Sequence, residues 1–180
     1  IKDKKIPLRI TVNRQGTLID VATEELLKTY GITYSDIAKW GGKVHKLPGP
    51  EATDLWDAGQ MDAIVEVSQF PTSRFYELGQ KHDLIMLPID PANQEKLNKE
   101  LGTSSLTIPA GTYSFQKEDC PTVSSQLLLI TSADQPDEVI TGVLKAMTAN
   151  IDYLHSVHAN LRDLSPETMS ANTSIPMHPA

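Results

Sequence analysis

Two short segments carry residue types suited to a small charged solute: Asn13-Arg14-Gln15-Gly16-Thr17 and Ser68-Gln69-Phe70-Pro71-Thr72. Each lies between an apolar, β-branched run and a helical pattern, so each reads as a strand-to-helix turn. The first turn of a helix leaves backbone N–H groups without intrahelical partners, and the helix dipole favours negative charge there. Such a turn suits a carboxylate or a phosphate. Around the first, Gly16 lets the backbone approach a ligand, while Asn13, Gln15 and Thr17 are polar neighbours and Arg14 offers a charge. Around the second, Ser68, Gln69 and Thr72 set neutral polar groups about the apolar Phe70. The plainer reading stands beside this one: Thr17 caps a helix and Pro71 starts one. Two neutral anion-holding turns suit capture of a small acidic solute more than a reaction.

Other chemistries lack their residues. Gln15-Gly16-Thr17 holds one glycine, short of a dinucleotide fingerprint, and no phosphate-loop lysine follows it. His155 and His158 stand three apart on an expected helix, but no third ligand has metal-binding spacing, so they read as surface residues. His45 and His82 fall at loop or strand-edge positions, and His178 in the tail. There is no G-x-S-x-G elbow, and Cys120, between Asp119 and Pro121, has no recognisable catalytic partner. Glu24-Glu25 lies on the polar face of a helix, where solvation explains it. The expectation is a protein without catalytic residues, metal ligands or cofactor. An enzyme acting on a small anionic substrate, or the effector-sensing domain of a regulator, are the alternatives.

The elements that would position the two turns follow a strand-then-helix rhythm. Residues 7–12 (PLRITV) read as a strand, followed by a helix with Thr17 as N-cap, Asp20 as its capping partner and Gly31 as its stop. Leu18, Ile19, Ala22, Leu26, Leu27 and Tyr30 follow helical spacing. A short helix near residues 35–37, a strand at 43–47 and a helix from Pro50 to Gly59 come next. Residues 61–67 (MDAIVEV) read as the best strand, then a helix runs from Pro71 to about Gly79. Residues 83–89 (DLIMLPI) read as another strand, and Pro91 opens a helix to about Leu101. Beyond it the expectation is short extended pieces at 104–115 and a strand at 123–131. A long helix then starts at Pro136 with Val139, Val143, Leu144 and Met147 on one stripe. Helical material follows at 151–161 and after Ser165, before an irregular tail at 171–180. Strands joined by crossover helices predict a mostly parallel sheet, with ligands beyond the carboxyl ends of its strands. Both turns follow strands of that set, so both are expected on one edge.

The chain has 180 residues, 39% of them hydrophobic and 22% charged, in keeping with a soluble globular protein. Sixteen Lys and Arg against 23 Asp and Glu give a net charge of −7, which disfavours nucleic-acid backbones as partners. The single cysteine excludes an internal disulfide framework. No apolar run reaches the roughly 20 residues of a membrane span, and Ile1-Lys2-Asp3-Lys4-Lys5 does not open a secretory signal.

Four segments resemble the TAXI-type solute receptors of TRAP transporters. They are RITVNRQGTLIDVATEELLKTYGITYSDI, LWDAGQMDAIVEVSQFPTSRFYEL, IPAGTYSFQKEDCPTV and SIPMHPA, in the family's order and approximate spacing. The resemblance implies an α/β fold, the three-layer αβα lobe of a type II periplasmic binding protein, with C-terminal helices from the other lobe. It implies a lobe at residues 7–122 and a crossover strand with C-terminal helices at 123–180. It also implies a small organic anion or an amino acid such as glutamate as ligand, TRAP membrane subunits as partners and a periplasmic location. Tyr113, in IPAGTYSF, joins the ligand-binding candidates on this ground. The match starts in the middle of the family pattern. The expectation is therefore that the first lobe's opening elements and the export signal are missing, that solute binding is weak and that the chain self-associates. The turns also depart from the family, which usually has more Gly and Ser where Asn13 to Thr17 stand, and glycine near Ser68 to Phe70.

Overall fold

A three-stranded parallel sheet organises the first half of the chain. The computed structural model describes residues 1–158, 161–171 and 175–179. Strand β1 (Arg9–Thr11) is central, flanked by β2 (Lys43–His45) and β3 (Ala63–Ile64), both parallel to it. Ile10, Thr11 and Val12 are all buried, as befits a central strand covered on both faces. Ile10 and Val12 form a core with Ile32 and Ile37, against which Leu8, Leu27, Tyr34, Trp40, Val44 and Ala63 pack. Helix α1 (Leu18–Thr29) and helix α2 (Tyr34–Lys39) supply Leu27, Tyr34 and Ile37 to it.

Local signals set the helix boundaries. The Thr17 hydroxyl caps α1, and Thr33 with Asp36 forms a reciprocal capping box on α2. Pro50 enters α3 (Gly49–Asp57) in its first turn, and Asp90 caps α5 (Pro91–Leu101), which ends at left-handed Gly102. Helix α4 (Ser73–Lys81) follows β3. Between α2 and β2 the chain passes so close to Leu8 that a side chain at Gly42 would strike the Leu8 backbone. A separate antiparallel pair, β4 (Ser104–Ile108) and β5 (Cys120–Ser124), packs on α5, which also packs on α1.

Every expected strand is shorter or absent, the second spanning Lys43–His45 in place of 43–47. The run 61–67 contributes only β3, because its partner β1 ends at Thr11 and Asn13, with a φ of +61°, turns the chain out of the sheet. Residues 83–89 form no strand: Ile85 is 82% exposed, and the ladder is reduced to the Ile89 N–H donating to the Pro121 carbonyl. An apolar run becomes a strand only where a neighbour offers its backbone groups. The strand expected at 123–131 instead spans 120–124. Its partner begins at Ser104, opposite Ser124, so the ladder ends there, and Leu127 and Leu129 are 87% and 75% exposed. The first strand is likewise trimmed to three residues.

The chain divides into two compact units, Ile1–Ser125 and Gln126–Ala180. The second contains α6 (Asp137–Ala149), α7 (Ile151–Val157) and α8 (Pro166–Ser170). Among its described residues none is buried, and the expected apolar stripe of α6 leaves Val139, Val143 and Leu144 exposed. The irregular tail is described at 171 and 175–179; the rest of it lies outside the described residues.

If the Ile10–Ile37 cluster carries the first unit, Ile37→Ala lowers its unfolding free energy by about 2–5 kcal/mol. Thr33→Ala costs roughly 1 kcal/mol by removing only a cap. Urea denaturation of both variants checks the order.

Candidate functional site

The parallel register sends three connections out of one sheet edge. Ile10 and Thr11 pair with Ala63 and Ile64, and the Val65 N–H donates to the Thr11 carbonyl at 3.3 Å. On the other side Thr11 pairs with His45, and the Val12 N–H donates to the His45 carbonyl at 3.1 Å. All three strands run the same way, so residues 13–17, 46–48 and 65–72 leave from their carboxyl ends and lead into α1, α3 and α4. The structure thus brings Asn13, Gln15, Gly16 and Thr17 to the same edge as Ser68, Gln69, Phe70 and Thr72.

The first loop is held by its own bonds. Asn13 accepts from the Arg14 N–H at 2.7 Å through Oδ1, and the Thr17 hydroxyl donates to the Arg14 carbonyl at 2.7 Å. Gly16 has a φ of +76°, and nothing lies within 4 Å of where a Cβ would stand. Glycine serves here for backbone conformation and leaves its Cα face open. Its N–H donates to Asp20 Oδ2 at 2.9 Å. Thr17 does receive the Asp20 N–H, at 3.4 Å, but the return bond of the expected capping box goes to Gly16 instead of Thr17. Arg14 and Gln15 are exposed.

Asp20 is 5% exposed and multiply partnered. Besides Gly16 it accepts from Lys46 Nζ at 3.0 Å and from the Tyr34 hydroxyl at 3.1 Å. Lys46 Nζ also sits 5.3 Å from the centre of the Tyr34 ring, a cation–π contact. Burial works to raise the Asp20 pKa, but the Gly16 amide, Lys46 and Tyr34 together hold it below the ordinary value. Burial and the adjacent carboxylate push the Tyr34 phenol well up.

The second loop is anchored at both ends. Glu66, just past β3, meets Arg74 Nη1 on α4 at 2.5 Å, and Arg74 Nε donates to the Thr53 hydroxyl on α3 at 3.3 Å. Burial pushes the Glu66 carboxyl up against the pull of Arg74. At the far end the Thr72 N–H donates to the Tyr113 hydroxyl at 3.0 Å. Tyr113 is 2% exposed, stacked on Phe115 with centroids 5.4 Å apart and edge-on to Phe75 and Tyr76. A side chain at Gly79 would run into the Phe115 ring, so α4 lies close against this cluster. Tyr113 therefore fastens the loop. Ser68, Gln69 and Phe70 are exposed, with Phe70 joined to Pro71 by a cis peptide.

Elsewhere, a groove of about 200 Å³ runs between α1 and α5 beside Glu25, Lys28 and Lys96, and one of about 510 Å³ lies along α6. His155 bonds the Leu164 carbonyl at 2.8 Å, and His82 and Lys81 share Asp57. Among the described residues no group of three or more His, Cys, Asp or Glu could hold a metal ion. Cys120 is buried, which raises its thiol pKa.

Sequence reasoning missed Lys46, Glu66 and Arg74. Nothing in the local pattern marks a lysine 26 residues from Asp20 or a pair eight apart across a turn. Asp20 was visible, but only as a capping residue.

Residues 6–180 match the NMT1-like family. The chain belongs to that family. The NMT1-like family is part of the periplasmic-binding-protein-like superfamily, and the parallel sheet with its surrounding helices is consistent with a lobe of that fold. Membership points to a binding protein with a small-molecule ligand rather than to an enzyme. Such proteins are typically extracytoplasmic, and among the described residues no helix is long and apolar enough to cross a membrane.

Tyr113→Phe leaves the part-buried Thr72 N–H without its acceptor and lowers stability by about 0.5–1.5 kcal/mol, readable in urea melts. The Asp20 pKa is lower folded than unfolded, so its contribution is present above the unfolded value and disappears as pH falls through the folded one. Asp20→Asn consequently flattens the acid limb of the stability–pH curve below pH 4, measured by denaturation across that range.

Proposed function

We propose that this chain is a solute-binding lobe that captures a small organic anion or an acidic amino acid such as glutamate. The observation that supports it most is the pairing of β1 between two parallel neighbours, which opens both loops onto one edge. The ligand-binding group consists of Asn13, Gln15, Gly16 (by its open Cα face) and Thr17 from the first loop. Ser68, Gln69, Phe70 and Thr72 come from the second, with Tyr113 behind it. Arg14 is exposed at the same loop and supplies a positive charge for the solute.

In this reading residues 7–122 are one lobe of a two-lobed receptor, and residues 123–180 form a crossover strand and helices that serve the other. The receptor is extracytoplasmic, of the TAXI type, and delivers its solute to the membrane subunits of a TRAP-type transporter. The supports are the four motif segments and the membership in a periplasmic-binding-protein-like family. The anion preference is supported by the exposed Arg14 at the first loop.

A thermal-shift series tests it. L-glutamate raises the melting temperature in a saturable way, L-glutamine raises it less, and L-lysine leaves it unchanged. A response to L-lysine alone, or none to any acidic solute across a broad panel, contradicts the proposal.

A further inference from the structure

The amide that a bound acid would be expected to use at the start of α1 is already in use. Gly16 N–H points at Asp20 Oδ2 at 2.9 Å, so a carboxylate of the protein itself sits at the positive end of the helix. It is held from three sides, by Gly16 from the loop, by Lys46 from the connection after β2 and by Tyr34 from the first turn of α2. Tyr34 also donates to the Asp20 backbone carbonyl at 3.0 Å, which fixes the same residue twice. A side chain 5% exposed with three partners in three segments has little freedom to leave.

We infer that Asp20 is the positioning residue of the Asn13–Thr17 loop: its carboxylate, clamped by Lys46 and Tyr34, holds Gly16 in its left-handed conformation and presents Arg14 and Gln15 outward. The Arg14 and Gln15 side chains have no partner among the described residues. On the solute-binding reading proposed above, an acidic solute is then met by Arg14 and Gln15, while the Gly16 amide stays with Asp20. The geometric part of the inference stands without that reading; its effect on affinity rests on it.

The lysine has a definite place in this arrangement. Without Lys46 the buried carboxylate would lose its only nearby cation among the described residues, and the loop its ion-pair link to the segment after β2. Lys46, a basic residue at the right edge, thus already has its charge met by Asp20. Arg74 parallels it at the second loop, since its charge is met by Glu66. Two of the three basic residues on this edge are thus neutralised by the protein's own carboxylates, and Arg14 is left to the solute.

The test uses the full chain labelled with ¹⁵N and reads the Gly16 amide directly. Asp20→Asn and Lys46→Met each move the Gly16 amide proton upfield and speed its exchange at least tenfold. Each also weakens L-glutamate binding at least fivefold. In Asp20→Gly, sodium acetate at tens of millimolar restores the Gly16 signal and exchange, whereas sodium chloride at equal ionic strength does not. Arg14→Gln weakens L-glutamate binding without altering the Gly16 amide. A Gly16 amide unchanged in Asp20→Asn, or one changed but indifferent to acetate in Asp20→Gly, overturns the assignment. If the wild-type chain ignores L-glutamate while Asp20→Asn still moves the Gly16 amide, Asp20 holds the loop and the solute reading is what fails.

Discussion

Parallel pairing of β1 with two neighbours is the constraint from which the rest of the first unit follows. A parallel pair cannot be closed by a tight turn, so β1 and β2 must each be followed by a crossover that here begins by leading into a helix, and β3 likewise runs on into α4. Three helix N-termini therefore collect at the edge where the strands end. The sheet is small, with strands of two or three residues, and its ladder alone would be marginal. Ile10 and Val12 on β1, buried against Ile32 and Ile37, hold it in place.

At that edge, charge is arranged in neighbouring opposites. Asp20 with Lys46 and Glu66 with Arg74 each join a loop to an adjacent element; Asp20, Glu66 and Arg74 are largely shielded from water, while Lys46 is exposed. Such pairs contribute less to stability than to geometry, because desolvation offsets much of their attraction. Their effect is to make two irregular segments rigid enough to present a fixed set of polar groups. Tyr113 adds an uncharged fastening through its hydroxyl, supported by three aromatic rings.

Helices were the legible part of the sequence because their boundaries are written locally, as in Thr17, Pro50 and Pro91, although the Thr33 cap of α2 went unread. The strand–helix order was legible too, and with it the exit of the two loops from one edge of the sheet. Strand lengths were not. Residues 61–67 and 83–89 have the composition of strands, yet what a strand becomes depends on a partner elsewhere in the chain, and β1 ends at Thr11, just before the turn at Asn13. The inner face of α1 was also misjudged. Leu18 and Tyr30 fit the apolar spacing but stand exposed, while Asp20 and Thr23 are buried because each has hydrogen-bond partners that only the fold supplies. Long-range ion pairs leave no periodic trace, which is why Lys46, Glu66 and Arg74 were invisible.

The membership in the NMT1-like family and the shared edge agree on a binding protein for a small molecule. Backbone chemical-shift mapping during an L-glutamate titration tests their convergence most directly. The account predicts that the amides shifting with a single saturation curve fall in both 13–17 and 68–72. Shifts confined to one of these loops, or centred on the groove between α1 and α5, would contradict it.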